Sequence, residues 1–196
     1  MCLRLSWVLI IVGSLFVPTT LPDLAEAREG FWQGDISTDW NTAGNWFVVG
    51  ALGDAAAGLR PNPSPVATRA QRRPTPLVRE GQVAAAQASA AIDVSDGFLQ
   101  DLRHLCKESG VGSVVECSAL PLGKAARALP DGMELALGGG EDYALLLSVP
   151  RRKLTALSKK LRFAEVGRIV RGRGIQLTEL GRPRPLPRRV GFDHLK

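Results

Sequence analysis

Two short stretches of this chain concentrate residues able to do chemistry. The first is Ile92-Asp93-Val94-Ser95-Asp96-Gly97. An apolar strand ends at Asp93 and the chain turns into a helix at Ser95-Asp96-Gly97. Two carboxylates three residues apart at such a turn offer the hard oxygen ligands that Mg²⁺ takes. Ser95 and the amides at the helix start could face a phosphate oxygen. The same residues equally suit a helix cap, with Ser95 or Asp96 accepting from the first-turn N–H groups. The second stretch is Gly138-Gly139-Gly140-Glu141-Asp142-Tyr143. Three glycines permit positive φ and close approach of a ligand. A carboxylate after them could hold a cationic or hydrogen-bonding ring, or simply stand solvated on a glycine hairpin. No Lys-Ser/Thr pair follows the glycines, which excludes a Walker loop.

The elements that must position these motifs follow from periodicity. Ala90–Val94 reads as a short strand. Phe98, Leu99, Leu102, Leu105 and Cys106 recur at helical spacing, with Gly110 as the stop. Gly112–Cys117 and Tyr143–Val149 read as strands, and Gln82–Ser89 and Leu122–Leu129 as helices. Leu154, Leu157 and Leu161 mark an amphipathic helix with a basic outer face. Glu165–Val170 and Ile175–Glu179 are expected to pair as a hairpin through Gly172 and Gly174. Irregular alternation of helices and strands favours an α+β fold, a mixed sheet flanked by helices.

Upstream, Val48–Leu59 reads as a strand ending at Gly50, a turn at Gly53-Asp54 and an alanine-rich helix start. Arg60–Gly81 holds four prolines at positions 61, 63, 65 and 74 and a fifth at 76, and is expected to be a weakly ordered connection. Residues 28–47 are rich in Trp, Asn and Gly (DWNTAGNW) and are similar to an opening found in secreted bacterial β-repeat proteins. Residues 1–27 have the form of a signal peptide: Arg4, an apolar run from Trp7 to Val17, and Ala25-Glu26-Ala27. The expected organisation is therefore 1–27 leader, 28–47 Trp/Asn/Gly-rich segment, 48–81 connection and 82–196 domain. Three cysteines, none in a CxxC pair, speak against a zinc site. Cys106 and Cys117 are expected to be buried free thiols. The net charge is +6, and from Arg151 to Lys196 there are 14 Lys/Arg against 3 acids. Such a surplus can attract phosphates, nucleic acid or acidic lipid. No helix-turn-helix or aromatic-interleaved motif accompanies it, so no nucleic-acid partner is expected.

Both motifs occur in one order and spacing. AAIDVSDGFLQDLRHLCKESGVG, ALPLGKAARAL, LALGGGEDYALLLSVP, FAEVGRIVRG and GFDHL together resemble thiamine-monophosphate kinase, in its C-terminal domain, within the aminoimidazole ribonucleotide synthetase-like superfamily. The similarity runs from about Val48 to Lys196, with LGDAAAGL and RPTP also in its pattern. It implies ATP-dependent phosphorylation of thiamine monophosphate to thiamine diphosphate, with ATP as co-substrate and Mg²⁺ as cofactor. It implies Asp93 and Asp96 as magnesium ligands, Ser95 as an ATP contact, and Glu141 and Phe192 as substrate contacts. Family members are homodimers through an N-terminal domain for which the chain shows no counterpart before Val48. Leu77 stands where the family has an arginine. The resemblance therefore implies impaired activity in a cytoplasmic enzyme, or, if the leader is real, an exported non-catalytic relic that keeps only the fold.

Overall fold

A computed structural model of the chain describes residues 44–187 and Gly191. The leader and nearly all of the Trp/Asn/Gly-rich segment lie outside the described residues, as do Cys2 and Phe192.

The architecture is organised around two strands that are apolar on both faces. Strand β1 (Asn45–Val49) and strand β4 (Leu145–Val149) are buried at every position. They pair antiparallel, from Asn45 opposite Val149 to Val49 opposite Leu145. Continuous apolar runs of this kind need cover on both sides of the sheet. Alternation along β1 shows how the cover is divided. Trp46 and Val48 pack on one face with Leu99, Leu102 and Leu137. Phe47 and Val49 pack on the other with Ala84 and Leu157. The Phe47 ring meets Phe163 edge-on, with centroids 5.0 Å apart and planes at 79°, a favoured aromatic arrangement.

The remaining strands are β2 (Ala90–Asp93), β3 (Gly112–Glu116), β5 (Ala164–Val170), β6 (Gly174–Glu179) and β7 (Arg182–Arg184), and the sheet order is β2-β4-β1-β5-β3-β6-β7. All neighbouring pairs are antiparallel except β3 and β6. Among the described residues seven α-helices accompany the sheet, α1 (Asp54–Ala57), α2 (Pro65–Arg72), α3 (Val78–Ala85), α4 (Phe98–Glu108), α5 (Lys124–Arg127), α6 (Gly132–Gly138) and α7 (Arg151–Ser158), with a short 3-10 turn at Cys117–Ala119. The mixed sheet flanked by helices is the α+β architecture expected from the sequence. Cys106 and Cys117 are both buried and free.

Three local expectations are corrected. First, β5 and β6 are not a hairpin: β3 lies between them. Its first residue, Gly112, pairs with Val170 on one side and Gly174 on the other. The link through Gly172 and Gly174, both at positive φ, therefore passes over the start of β3. A side chain at Gly112 would sit 3.2 Å from the Gly174 carbonyl oxygen, so the bare backbone makes room for the crossing. Pairing with both neighbours satisfies both edges of β3, whose Val115 is fully buried.

Second, the proline-rich segment holds α2 and the first turn of α3. Pro65 occupies the first turn of α2, where a missing N–H costs nothing, and Ser64 Oγ accepts from Ala67 N–H at 3.2 Å. Arg73 precedes Pro74 and leaves the helical region (φ −142°, ψ 66°), which ends α2. The prolines punctuate helix ends rather than interrupt helices. Third, α3 begins at Val78 and ends at Ala85, upstream of the Gln82–Ser89 span expected from its alanines. Strand β1 also crosses the compositional break at Phe47, so Asn45 and Trp46 belong to the centre of the sheet.

Candidate active site

Strand β2 forms one edge of the sheet and ends at Asp93, which is 3% exposed. Beyond it the chain continues alongside the segment that leads into β4. Val94 N–H donates to Ala144 O (2.8 Å), Tyr143 N–H to Val94 O (2.9 Å) and Glu141 N–H to Ser95 O (2.8 Å). These bonds join the two sequence motifs into one unit: the Ser95-Asp96-Gly97 turn lies directly against the glycine loop.

The closeness depends on glycine. A Cβ at Gly140 would lie 2.4 Å from the Ser95 carbonyl oxygen, and one at Gly97 would lie 3.0 Å from the Gly138 carbonyl oxygen. Gly97 moreover holds φ at +123°, where side chains are strained. The C-terminal end of the chain returns to the same place. A Cβ at Gly191 would meet the Asp96 carbonyl oxygen at 2.8 Å and Gln100 Cβ at 2.5 Å. Phe192, the next residue, lies outside the described residues.

Neither Ser95 nor Asp96 caps α4. The cap position belongs to Gly97, which offers no side chain. The N–H groups of Ser95, Asp96 and Gly97 all donate to one oxygen, Asp101 Oδ2, at 3.1, 3.1 and 3.2 Å. The amides of the turn just before the helix are thus taken by the protein's own carboxylate. Burial pushes the Asp101 carboxyl up to about 7, against the lowering pull of those amides. Ser95 and Asp96 are half-buried at the turn.

Asp142 is likewise not a solvated hairpin acid. Its Oδ2 accepts from Gly53 N–H at 2.6 Å and its Oδ1 from Ala55 N–H at 3.1 Å, which satisfies the start of α1. Burial pushes this carboxyl up to about 7, and the nearby Asp54 pushes the same way. Asp54 in turn accepts from the N–H groups of Ala125 and Ala126 at 2.8 and 2.9 Å, at the start of α5. A chain of carboxylate–amide contacts therefore runs from the glycine loop through α1 to α5. Glu141 is exposed, at φ +64°.

The structure thus brings Asp93, Ser95, Asp96 and Glu141 into one neighbourhood. Among the described residues, no group of three or more His, Cys, Asp or Glu forms a complete metal site. Asp93 and Asp96 are hard oxygen donors able to supply part of one. The residues that sequence reasoning missed are Asp101, Asp142 and Asp54. A glycine at the cap position with an aspartate four residues on was the available signal for Asp101. Nothing in the sequence links Asp142 to α1, some ninety residues upstream.

A seven-stranded mixed sheet, with a buried aspartate at the end of an edge strand and a glycine loop laid against the following turn, defines an AIR synthase-like C-terminal domain. The chain belongs to that family: the model for "AIR synthase related protein, C-terminal domain" matches residues 52–179. Its similarity within the family is to thiamine-monophosphate kinases. The enzyme of Salmonella typhimurium is 41% identical over 128 residues, covering 58% of this chain and 39% of that protein. That of Haemophilus influenzae is 32% identical over 209 residues, covering 94% of this chain and 61% of that protein. The chain thus spans less than two thirds of the length of these relatives. Among solved structures, thiamine-monophosphate kinase from Stenotrophomonas maltophilia superposes with TM-score 0.63 at 33% identity, covering 72% of this chain and 51% of that one. AaThiL complexed with AMPPCP and TMP superposes with TM-score 0.65 at 29% identity, covering 78% and 51%. The hydrogenase maturation protein HypE of E. coli shares the fold alone, with TM-score 0.58 at 24% identity.

Proposed function

We propose that this domain serves the ATP-dependent phosphorylation of thiamine monophosphate to thiamine diphosphate. The observation that carries the reading is the backbone union of the Asp93–Gly97 turn with the Gly138–Glu141 loop, in a chain whose similar proteins are thiamine-monophosphate kinases. One of its structural neighbours is complexed with AMPPCP and TMP. The donor set suits Mg²⁺, which binds through one or two carboxylates together with substrate phosphates and water. Asp93 and Asp96 are the residues that would hold it. When bound, the ion would offset the charge repulsion between two phosphate groups. Ser95 would donate its hydroxyl to the nucleotide. Glu141, exposed on a loop held by Ser95 O, would accept from the amino group on the substrate's pyrimidine ring, and Phe192 would pack against the thiamine.

Phosphoryl transfer depends mainly on positioning and electrostatic stabilisation. In this reading the β2–α4 turn supplies two carboxylates for the metal, Asp93 and Asp96. Because the chain spans less than two thirds of the length of its relatives, it is proposed on its own to bind nucleotide weakly and to turn over very slowly. By its resemblance to the family, the protein is proposed to work in the cytoplasm. No helix among the described residues is long and apolar enough to cross a membrane.

The test is turnover of thiamine monophosphate with ATP and Mg²⁺, comparing the wild-type chain with Asp93→Asn. The expected result is a rate near background in both. Robust turnover that Asp93→Asn abolishes would support the reaction and overturn the impairment. Robust turnover unaffected by Asp93→Asn would overturn the role of the turn.

A further inference from the structure

Asp101 lies outside the set of residues that would touch ligand, yet three consecutive backbone N–H groups converge on its Oδ2. A run of amides curved around one point is an anion-binding concavity, the kind of backbone nest that elsewhere receives a phosphate oxygen. Here it is filled from within the chain. The side chain that fills it is 2% exposed and stands on α4, whose Phe98, Leu99 and Leu102 are fully buried. A second bond closes the unit, because Asp101 N–H donates to Gly97 O at 3.0 Å. The turn is thus gripped at both ends by one residue that the hydrophobic core holds in place.

We propose that Asp101 is a positioning residue for the metal–nucleotide site, fixing through its Oδ2 the turn on which Asp93, Ser95 and Asp96 stand. This rests on the reading of that turn as a magnesium–nucleotide site. Two consequences follow. The nest is closed to ligand, so the Ser95, Asp96 and Gly97 amides take no part in phosphate recognition. The requirement at position 101 is for an acceptor oxygen at one place, not for a negative charge, since a single oxygen receives all three bonds. An asparagine presents such an oxygen from the same atom count. A glutamate keeps the charge but carries the acceptor one methylene too far.

Mn²⁺ replaces Mg²⁺ as an electron-paramagnetic probe, and its affinity for the chain in the presence of AMPPCP is measured for wild type, Asp101→Asn, Asp101→Glu and Asp101→Ala. Melting curves establish that each variant is folded at the working temperature. Groups that orient metal ligands from behind are typically worth about 10–100-fold in metal affinity. Asp101→Glu and Asp101→Ala are expected to lose about that much, and Asp101→Asn to stay within about threefold of wild type. In ¹H–¹⁵N spectra the Ser95, Asp96 and Gly97 amides should move in Asp101→Glu and hold in Asp101→Asn. The opposite order, with Glu binding as wild type and Asn failing, would show a charge effect and overturn the proposal. Folded Asp101→Glu with unchanged affinity would reduce the residue to a stability role and do the same. No binding by wild type would overturn the metal–nucleotide reading together with this inference, a result distinct from either.

Discussion

At the scale of single residues, the site is governed by where carboxylates spend their hydrogen bonds. Asp142 accepts the first amides of α1, and removing an acceptor from a buried donor costs about 1–3 kcal/mol. Asp142→Ala should lower the urea midpoint by that order while leaving the slope of the transition unchanged. The same residue predicts a pH dependence. Its carboxyl is raised from 3.8 to about 7 in the folded chain, so between those values the folded state holds more protons than the unfolded one. Stability must then fall as pH rises through that window and level off above it. Urea unfolding at pH 5 and pH 8 should show the higher midpoint at pH 5, and Asp142→Asn should reduce the difference to the part that Asp101, raised to about 7 by the same burial, contributes. A higher midpoint at pH 8 in wild type, with the Asn variant unchanged in slope, would contradict the assignment.

At the scale of elements, the fold was legible where side-chain periodicity decides it and obscure where backbone pairing does. Phe98, Leu99, Leu102 and Cys106 announce α4, and all four are buried where the spacing puts them. Gly172 and Gly174 announce a turn, but turn chemistry alone cannot say that β3 will slip between the strands it joins. That choice is made by Val115 and the bare Gly112, far away in sequence. The prolines of residues 61–76 misled for the opposite reason. Their number suggested a loop, while their positions, at the start of α2 and just beyond its end, are those that helices tolerate. Asp93, Ser95, Asp96 and Glu141 were legible as a group because their motifs are local. Asp101 showed only as an aspartate four residues after a cap glycine, and Asp142 not at all, because a sequence does not show which distant amides will lack a partner.

The far end of the sheet makes a separate prediction. Glu116 accepts from Leu180 N–H at 2.7 Å, Gly181 N–H at 3.2 Å and Thr178 Oγ1 at 2.8 Å, with Ser118 Oγ as a further donor. These contacts hold its carboxyl down at about 2, the hydroxyl of Ser118 first among them. They pin the β6–β7 turn to the end of β3. Glu116→Ala should speed amide hydrogen exchange at Leu180 and Gly181 by about tenfold or more, with the Ser95–Gly97 amides unchanged. Equal speeding at both places would mean that the turn and the candidate site are one cooperative unit.

At the scale of the whole molecule, the fold requires residues on both sides of the compositional break at Phe47. Strand β1 lies between β4 and β5, and Trp46 and Phe47 are fully buried on opposite faces. A chain beginning at Gly44 should unfold cooperatively in urea, whereas one beginning at Ala51 should not, because it lacks the strand on which both cores close. Cooperative unfolding of the shorter chain would show that β4 and β5 can pair without it. The basic surplus of the C-terminal third carries no separate role in this account. It includes Arg184, which pairs with Glu134 and Glu179 at 2.8 and 2.7 Å and so ties β7 to α6.

The central claim is that the Asp93–Gly97 turn and the glycine loop act together as a binding site for nucleotide and thiamine phosphate. It is tested most directly by titrating the ¹⁵N-labelled chain with AMPPCP and Mg²⁺, then with thiamine monophosphate, and following every amide. The account predicts that the first addition moves Ser95, Asp96 and Gly97, and that the second moves Gly140 and Glu141. Both responses should be lost in Asp93→Asn. Shifts confined to the arginines of α2 and its end (Arg69, Arg72 and Arg73), or no shift at the turn at millimolar ligand, would contradict it.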